Sequence, residues 1–222
     1  MKIFKDVSLF NNIDPKNYDN VLKCLKGKFR KYQKEESLNI TDKSFKAIVV
    51  LDGKIDVITR NIDGKIIIHN RYVNGDTLIL WQIEEDNDLV AKKISEVLLL
   101  DTELIFSDSR KNCSLKKTIM ENIIRIQNRQ NYLMNCKAKI YAEKFLRNKI
   151  MLYLNDMRLE NPEVINIPFS RFELASYLSC DRSALSRELS CMQDDGIIKV
   201  NKNKIYTSWR SEERRVGKEC RS

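Results

Sequence analysis

The run FSRFELASYLSCDRSALSRELSCMQDDGIIKVNKNKIY, residues 169–206, limits what this chain can fold into more than any other stretch. Ser170 followed three positions later by Glu173 is a capping box, and Phe169 with Leu174 brackets it as a hydrophobic staple. Leu174, Ala175 and Leu178 then form the buried face of a short helix that ends near Ser179. Asp181 is placed to cap a second helix through its carboxylate. Leu185, Leu189 and Met192 follow at i, i+4, i+7 and face inward, whereas Ser183, Ser186, Arg187 and Ser190 share another face, joined by Arg182 in the first turn. Gly196 suits the left-handed end of that helix, and two alternating runs turning at Asn201–Asn203 complete a wing.

Two helices with a tight turn, the second led by cations and hydroxyls, form a winged helix-turn-helix pattern. The residue types give it chemistry. Arginine pairs bidentately with guanine O6 and N7, and serine bonds base or phosphate. Arg182, Ser183, Ser186 and Arg187 are therefore the candidate base contacts. Ser170, Lys199, Lys202 and Lys204 are the candidate phosphate contacts, which position without reading sequence. Charge agrees. Residues 1–108 net to about −1 and residues 109–210 to about +9, so a polyanion partner is expected for the C-terminal half only.

Upstream the period changes. KAIVVLDGKIDVITRNIDGKIIIHNRYVNGDTLIL holds β-branched runs separated by Asp52-Gly53, Asp63-Gly64 and Asn74-Gly75, each read as a hairpin turn. With ISEVLLLDTELIF after them, they predict a compact antiparallel barrel or roll. Ahead of them Asp14 and Pro15 open a short helix carrying Val21, Leu22 and Leu25, and Gly27 ends it. Between roll and reader, Ile119, Ile123, Ile126, Gln130, Leu133 and Ile140 fall on alternating steps of four and three, with Lys137 interrupting. That spacing predicts a helix over 110–136 with a coiled-coil-like seam, on which Gln130 sets register. The alternative is a helix packed within its own subunit. A further helix is expected from about Lys139 to Arg158, and Pro162 and Pro168 bracket the next connection.

Other classes find little support. One histidine, His69, sits in an alternating run and reads as a strand-surface residue. Six scattered cysteines, Cys24, Cys113, Cys136, Cys180, Cys191 and Cys220, form no C-x-x-C pair and read as free thiols in a reducing compartment. No metal or cofactor is expected, and no Gly-rich phosphate loop or nucleophile–base signature suggests an enzyme. No apolar run is long enough for a membrane helix, and the N-terminus lacks a secretory pattern, so a cytoplasmic protein is expected. Residues 211–222, SEERRVGKECRS, lack periodicity and read as a non-native tail.

The segment IPFSRFELASYLSCDRSALSRELSCMQDDGIIKVNKNKIY closely resembles the winged helix of the Crp/Fnr family of bacterial transcription regulators. LFNNIDPKNYDNVLKCLKGKFRKYQKEESL, LDGKIDV and VNGDTL resemble that family's lead-in helix and roll. The resemblance covers about residues 8–207. It implies an α+β chain: an N-terminal antiparallel β-roll of the double-stranded β-helix or jelly-roll type over 1–108, a long dimerisation helix over 109–137, and a C-terminal winged helix-turn-helix over 138–210. It also implies a homodimer through residues 110–140 on a palindromic double-stranded DNA operator, with RNA polymerase as a further partner. Base contacts carry over onto Arg182, Ser183 and Arg187, with Ser186 nearby. Many members have Glu where Ser183 stands, so a different target sequence is implied; many have Gly where Ser179 stands. Nucleotide-binding members have a Gly-Glu and a later Arg that this chain lacks. Glu84, Glu85, Asp86 and Asp88 crowd that region, with Lys92 and Lys93 compensating in part, so cyclic AMP is not the expected effector. No effector residue is assigned. The alternative is a nucleotide- or metabolite-responsive sensor whose rebuilt roll pocket gates DNA binding.

Overall fold

A computed structural model describes residues 4, 7–39, 46–80, 87–105, 115–158 and 164–207. The expectations that rest on Glu84, Glu85, Asp86, Cys113, Pro162, Cys220 and residues 211–222 lie outside the described residues. The chain divides into two compact units, Met1–Met134 and Asn135–Ser222.

The first unit has a 3-10 turn at Ser8–Phe10 and another at Pro15–Asn17, where Asp14 Oδ1 accepts from the Lys16 amide at 3.0 Å, and the second runs into helix α1, Tyr18–Cys24. Among the described residues seven strands follow: β1 Lys28–Tyr32, β2 Ala47–Asp52, β3 Lys54–Arg60, β4 Ile66–Val73, β5 Thr77–Ile79, β6 Asp88–Ala91 and β7 Ser95–Leu100. They form two antiparallel sheets, ordered β1-β7-β2-β5 and β4-β3-β6.

Alternation along β2 sends Ile48 and Val50 to one side and Ala47 and Val49 to the other, and all four are dry. Ile48, Val50, Leu78, Val97 and Leu99 meet Ile55, Val57, Tyr72, Leu89 and Ala91 between the sheets. Ala47, Val49, Ile79, Leu98 and Leu100 meet Leu9, Phe10, Val21 and Leu25 on the opposite face. Coverage of both faces is why AIVVL is apolar without interruption. Within the second sheet, Arg71 and Asp56 are cross-strand partners joined by a buried two-pronged ion pair, 2.7 Å at each contact. Both charged forms hold the hydrogen bonds that burial demands.

Of the three expected hairpins, the Asp63-Gly64 turn is one: β3 pairs with β4, and Asn61 Oδ1 accepts from the Lys65 amide across it at 2.7 Å. The other two are corrected. β2 and β3 lie in different sheets, as do β4 and β5, so Asp52-Gly53 and Asn74-Gly75 are corners where the chain changes layer. Both jobs need a positive φ, which is why sequence does not separate them; Gly53 has φ 129° and Gly75 φ 88°. The corners are tied together. Asn74 Oδ1 accepts from the Gly53 amide at 2.8 Å while its amide nitrogen donates to Asp52 at 3.0 Å. His69, half-buried on β4, hydrogen-bonds the Thr59 hydroxyl through Nε2 at 2.8 Å.

Helix α2, Lys116–Ala142, corrects the expected seam and its end. Ile119, Ile123 and Ile126 are buried in the core of their own unit. Gln130 faces the same way: its Oε1 accepts from the Ile79 amide at 3.3 Å and its Nε2 donates to the Tyr72 hydroxyl at 3.1 Å. Asn122 donates through Nδ2 to the carbonyls of Leu9 and Asn11 at 2.9 and 2.8 Å. A 3.5-residue period serves a partner helix or a sheet equally, and here the roll takes it. The outward side carries Ile124, Asn128, Asn131, Tyr132 and Met134, all exposed.

The second unit holds the end of α2, helix α3 Leu146–Arg158, strand β8 Ile165–Asn166, helices α4 Arg171–Leu178 and α5 Arg182–Asp194, and strands β9 Ile198–Asn201 and β10 Lys204–Thr207. The break between helices falls at Glu143–Phe145, later than expected, because Lys137 is buried inside α2 and does not end it. Glu143 Oε2 accepts from Asn148 across the bend at 3.1 Å.

Gly53→Ala tests the corner. The new Cβ would stand 2.1 Å from Ser95 Oγ and 2.7 Å from Ser95 Cα, at a φ that an L side chain rarely adopts. A loss of at least about 2 kcal/mol in urea unfolding is expected.

Candidate nucleic-acid interface

Helix α4 begins as its sequence dictates. The Ser170 hydroxyl accepts from the Glu173 amide at 3.3 Å, and the Glu173 carboxylate accepts from the Ser170 amide at 2.7 Å. Ser170 is exposed and keeps its own O–H free to donate. Leu174, Ala175 and Leu178 are buried as expected, joined by Ser176 and Tyr177. Tyr177, Tyr153 and Phe169 form an aromatic cluster, with the Phe169 and Tyr177 ring centres 5.0 Å apart.

The turn between the helices is a Schellman motif. Ser179 adopts φ 51°, ψ 54°, the Cys180 amide donates to Ala175 O at 3.0 Å and the Ser179 amide to Ser176 O at 3.4 Å. Ser179 thus keeps the turn without a glycine and carries its left-handed conformation as strain.

Asp181 occupies the N-cap of α5 in an extended conformation, but its carboxylate makes no capping hydrogen bond, which corrects that expectation. Its charge still lies at the positive end of the helix. Leu185, Leu189 and Met192 are buried. Arg182, Ser183, Ser186, Arg187 and Ser190 are all exposed, the first four within two turns of the helix start. Ser190 is turned back, donating to Ser186 O at 3.2 Å. Among the described residues no carboxylate pairs with Arg182 or Arg187, so both guanidinium groups face water.

The wing is a three-stranded sheet, β8-β10-β9. Ile165, Ile198 and Ile205 are buried, and alternation leaves Lys199 and Lys204 exposed. Asn201 pairs with Lys204, so the turn consists of Lys202 and Asn203, with exposed Lys202 at φ 53°.

Three residues that fix this unit escaped sequence reasoning. Arg147 of α3 reaches Glu188 and Asp195, 2.6 Å from each, and clamps α5 along its length. Those two hydrogen bonds hold its guanidinium more firmly charged than usual. Gln193 Oε1 accepts from the Val200 amide at 2.7 Å and ties the end of α5 to β9. Lys137 donates to Tyr177 O. Each partner lies at a sequence distance where periodicity carries no signal, apart from Gln193, whose partner follows within the next strand.

A family model described as a Crp-like helix-turn-helix domain matches residues 148–208. Among curated proteins none matches the chain. Among solved structures, the chain is similar to a double variant of CooA from Carboxydothermus hydrogenoformans, with 16% identity, TM-score 0.71, and coverage of 91% of this chain and 90% of that one. It is similar to FixK2 from Bradyrhizobium japonicum, with 16% identity, TM-score 0.65, and coverage of 84% and 94%. It is also similar to CLP of Xanthomonas campestris, described as a c-di-GMP responsive global regulator, with 18% identity, TM-score 0.63, and coverage of 89% and 100%. The chain thus shares the fold of these proteins, with a Crp-like helix-turn-helix domain in its second unit. No described helix is long and apolar enough to cross a membrane.

Ser179→Gly would relieve the left-handed strain in an exposed turn. A gain of about 1 kcal/mol in stability is expected, read as a higher melting temperature.

Proposed function

We propose that this chain is a sequence-specific transcription regulator of the Crp/Fnr type, acting as a homodimer on a palindromic operator. The observation that carries the reading is the division of α5: one face dry, the other presenting two unpaired arginines and two serine hydroxyls in its first two turns. In this reading Arg182, Ser183, Ser186 and Arg187 meet base edges in the major groove. Ser170, Lys199, Lys202 and Lys204 hold phosphates on either side. Two copies of one reader suit a two-fold DNA site. Since Ile119, Ile123 and Ile126 are committed to their own core, the pairing surface within residues 110–140 is the outward side of α2, with Ile124, Asn128, Asn131, Tyr132 and Met134. The roll, residues 1–108, is the sensing part, with an effector other than cyclic AMP. RNA polymerase is the further partner of the bound dimer.

Selection from a random duplex library tests the function. Enrichment of a two-fold symmetric sequence is expected; recovery of unenriched DNA would refute sequence reading. Sedimentation of the full chain tests the dimer, with Ile124→Asp expected to shift it to monomer.

Arg187→Ala is expected to weaken specific binding by about 1–3 kcal/mol and to relax base preference at one position of each half-site. Equal loss on specific and random duplexes would make Arg187 a phosphate contact. Lys202→Gly removes a charge while easing the positive φ of the turn, so a folding defect is not expected. It should lower affinity on every duplex and flatten the salt dependence by about one counterion.

A further inference from the structure

Helix α4 leaves its last carbonyls without intrahelical donors. The Schellman turn satisfies Ala175 O and Ser176 O from within. Tyr177 O is satisfied from another helix: Lys137, in the last turns of α2, donates to it through Nζ. The same nitrogen stands 3.0 Å from the centre of the Tyr177 ring and 5.1 Å from that of Tyr141. Lys137 is only 6% exposed, in a chain whose other lysines mostly reach water. An N–H donor at a helix C-terminus answers a carbonyl that the helix itself leaves open. An ammonium in so dry a place is costly, and aromatic faces with one carbonyl offset that cost only in part.

We propose that Lys137 is a positioning residue for DNA reading: its amine closes the C-terminal end of α4, seats α4 and α5 against the last turns of α2, and releases that seat in acid. This rests on the DNA-reading function proposed above. The chemistry is a single proton. Burial pulls the Lys137 amine from its usual 10.5 down to about 6, so at neutral pH it is an uncharged donor to Tyr177 O. The phenols that face it stay neutral. Burial pushes Tyr141 up to about 12 and Tyr177 higher still. Cys136 of α2 and Asp156 of α3 are the further titratable groups that act on Tyr177, and both disfavour its ionisation. A proton on the amine puts a charge in this dry site, so as pH falls the arrangement with the side chain withdrawn to water, and Tyr177 O without its donor, gains weight. The sign for stability follows. Between about 10.5 and 6 the unfolded chain binds a proton that the folded chain refuses, so stability falls as pH falls through that range and levels off below it.

Lysine ¹³Cε resonances of the full-length protein give the direct test. A titration midpoint near 6 is expected for Lys137; one above about 9 would overturn the proposal with no variant needed. DNA binding gives the second. The chain has one histidine, so few side chains compete in this window. From pH 7.5 to 5.5, specific affinity should fall on the order of tenfold in the wild type and in His69→Gln, and stay level in Lys137→Met. Lys137→Arg, charged throughout, should bind weakly at both pH values. A Lys137→Met protein whose affinity still falls about tenfold over this range, as in the wild type, would refute a positioning role even if affinity drops overall. Should the protein prefer no duplex at any pH, the DNA-reading function fails instead. The resonance midpoint and the pH dependence of melting then still decide whether Lys137 is the proton-controlled contact.

Discussion

Leu185, Leu189 and Met192 can be dry together in only one rotation of α5 about its axis. That constraint settles which side chains remain outside: Arg182, Ser183, Ser186 and Arg187 are exposed because the residues between them are not. Other features of the second unit serve the same rotation. The capping box and left-handed Ser179 place the preceding helix, and Arg147 holds Glu188 and Asp195 from behind. Each exposed ion pair of this kind adds little energy alone. What the clamp supplies is orientation, since two contacts along one helix oppose both tilt and roll.

A comparable economy governs the first unit. One strand, β2, supplies side chains to two separate apolar layers, so from Ala47 to Val50 it has no solvated face. The face turned away from the second sheet must be closed by something, and α1 with the start of α2 closes it. This is why the heptad-like side of α2 is spent inside its own unit, and why Ile124, Asn128, Asn131, Tyr132 and Met134 are left outward. Gln130 makes the arrangement specific, since the Ile79 amide and the Tyr72 hydroxyl both need a partner in that position.

The helices and strands of the second unit were largely legible in the sequence, because the signals there are local: a capping box, a staple, a four-residue period, a two-residue turn; the Asp181 cap is the exception. The roll was legible as strands but not as layers. Asp52-Gly53 and Asn74-Gly75 announce a positive φ, and the same backbone serves a hairpin or a change of sheet; only the pairing of β2 with β7 and β5 decides. The period of α2 was read correctly and its partner was not, because an apolar stripe does not say whether the opposing surface belongs to its own chain. Lys137 misled more directly. A lysine inside an apolar pattern normally marks an edge, and here an aromatic floor and a bare carbonyl make room for it. The Arg71–Asp56 pair left no trace, being two charges on neighbouring strands whose register is known only once the sheet is built.

The bond from the Val200 amide to Gln193 joins the last turn of α5 to the first strand of the wing. The two elements therefore travel as one rigid hand. Under the proposed function, a duplex held by the wing leaves the helix no freedom to rotate towards another base, so a half-site would be accepted or refused as a whole. Evolution of a new target in such a hand is confined to exchanging fingertips, because bending the wrist would loosen every grip at once.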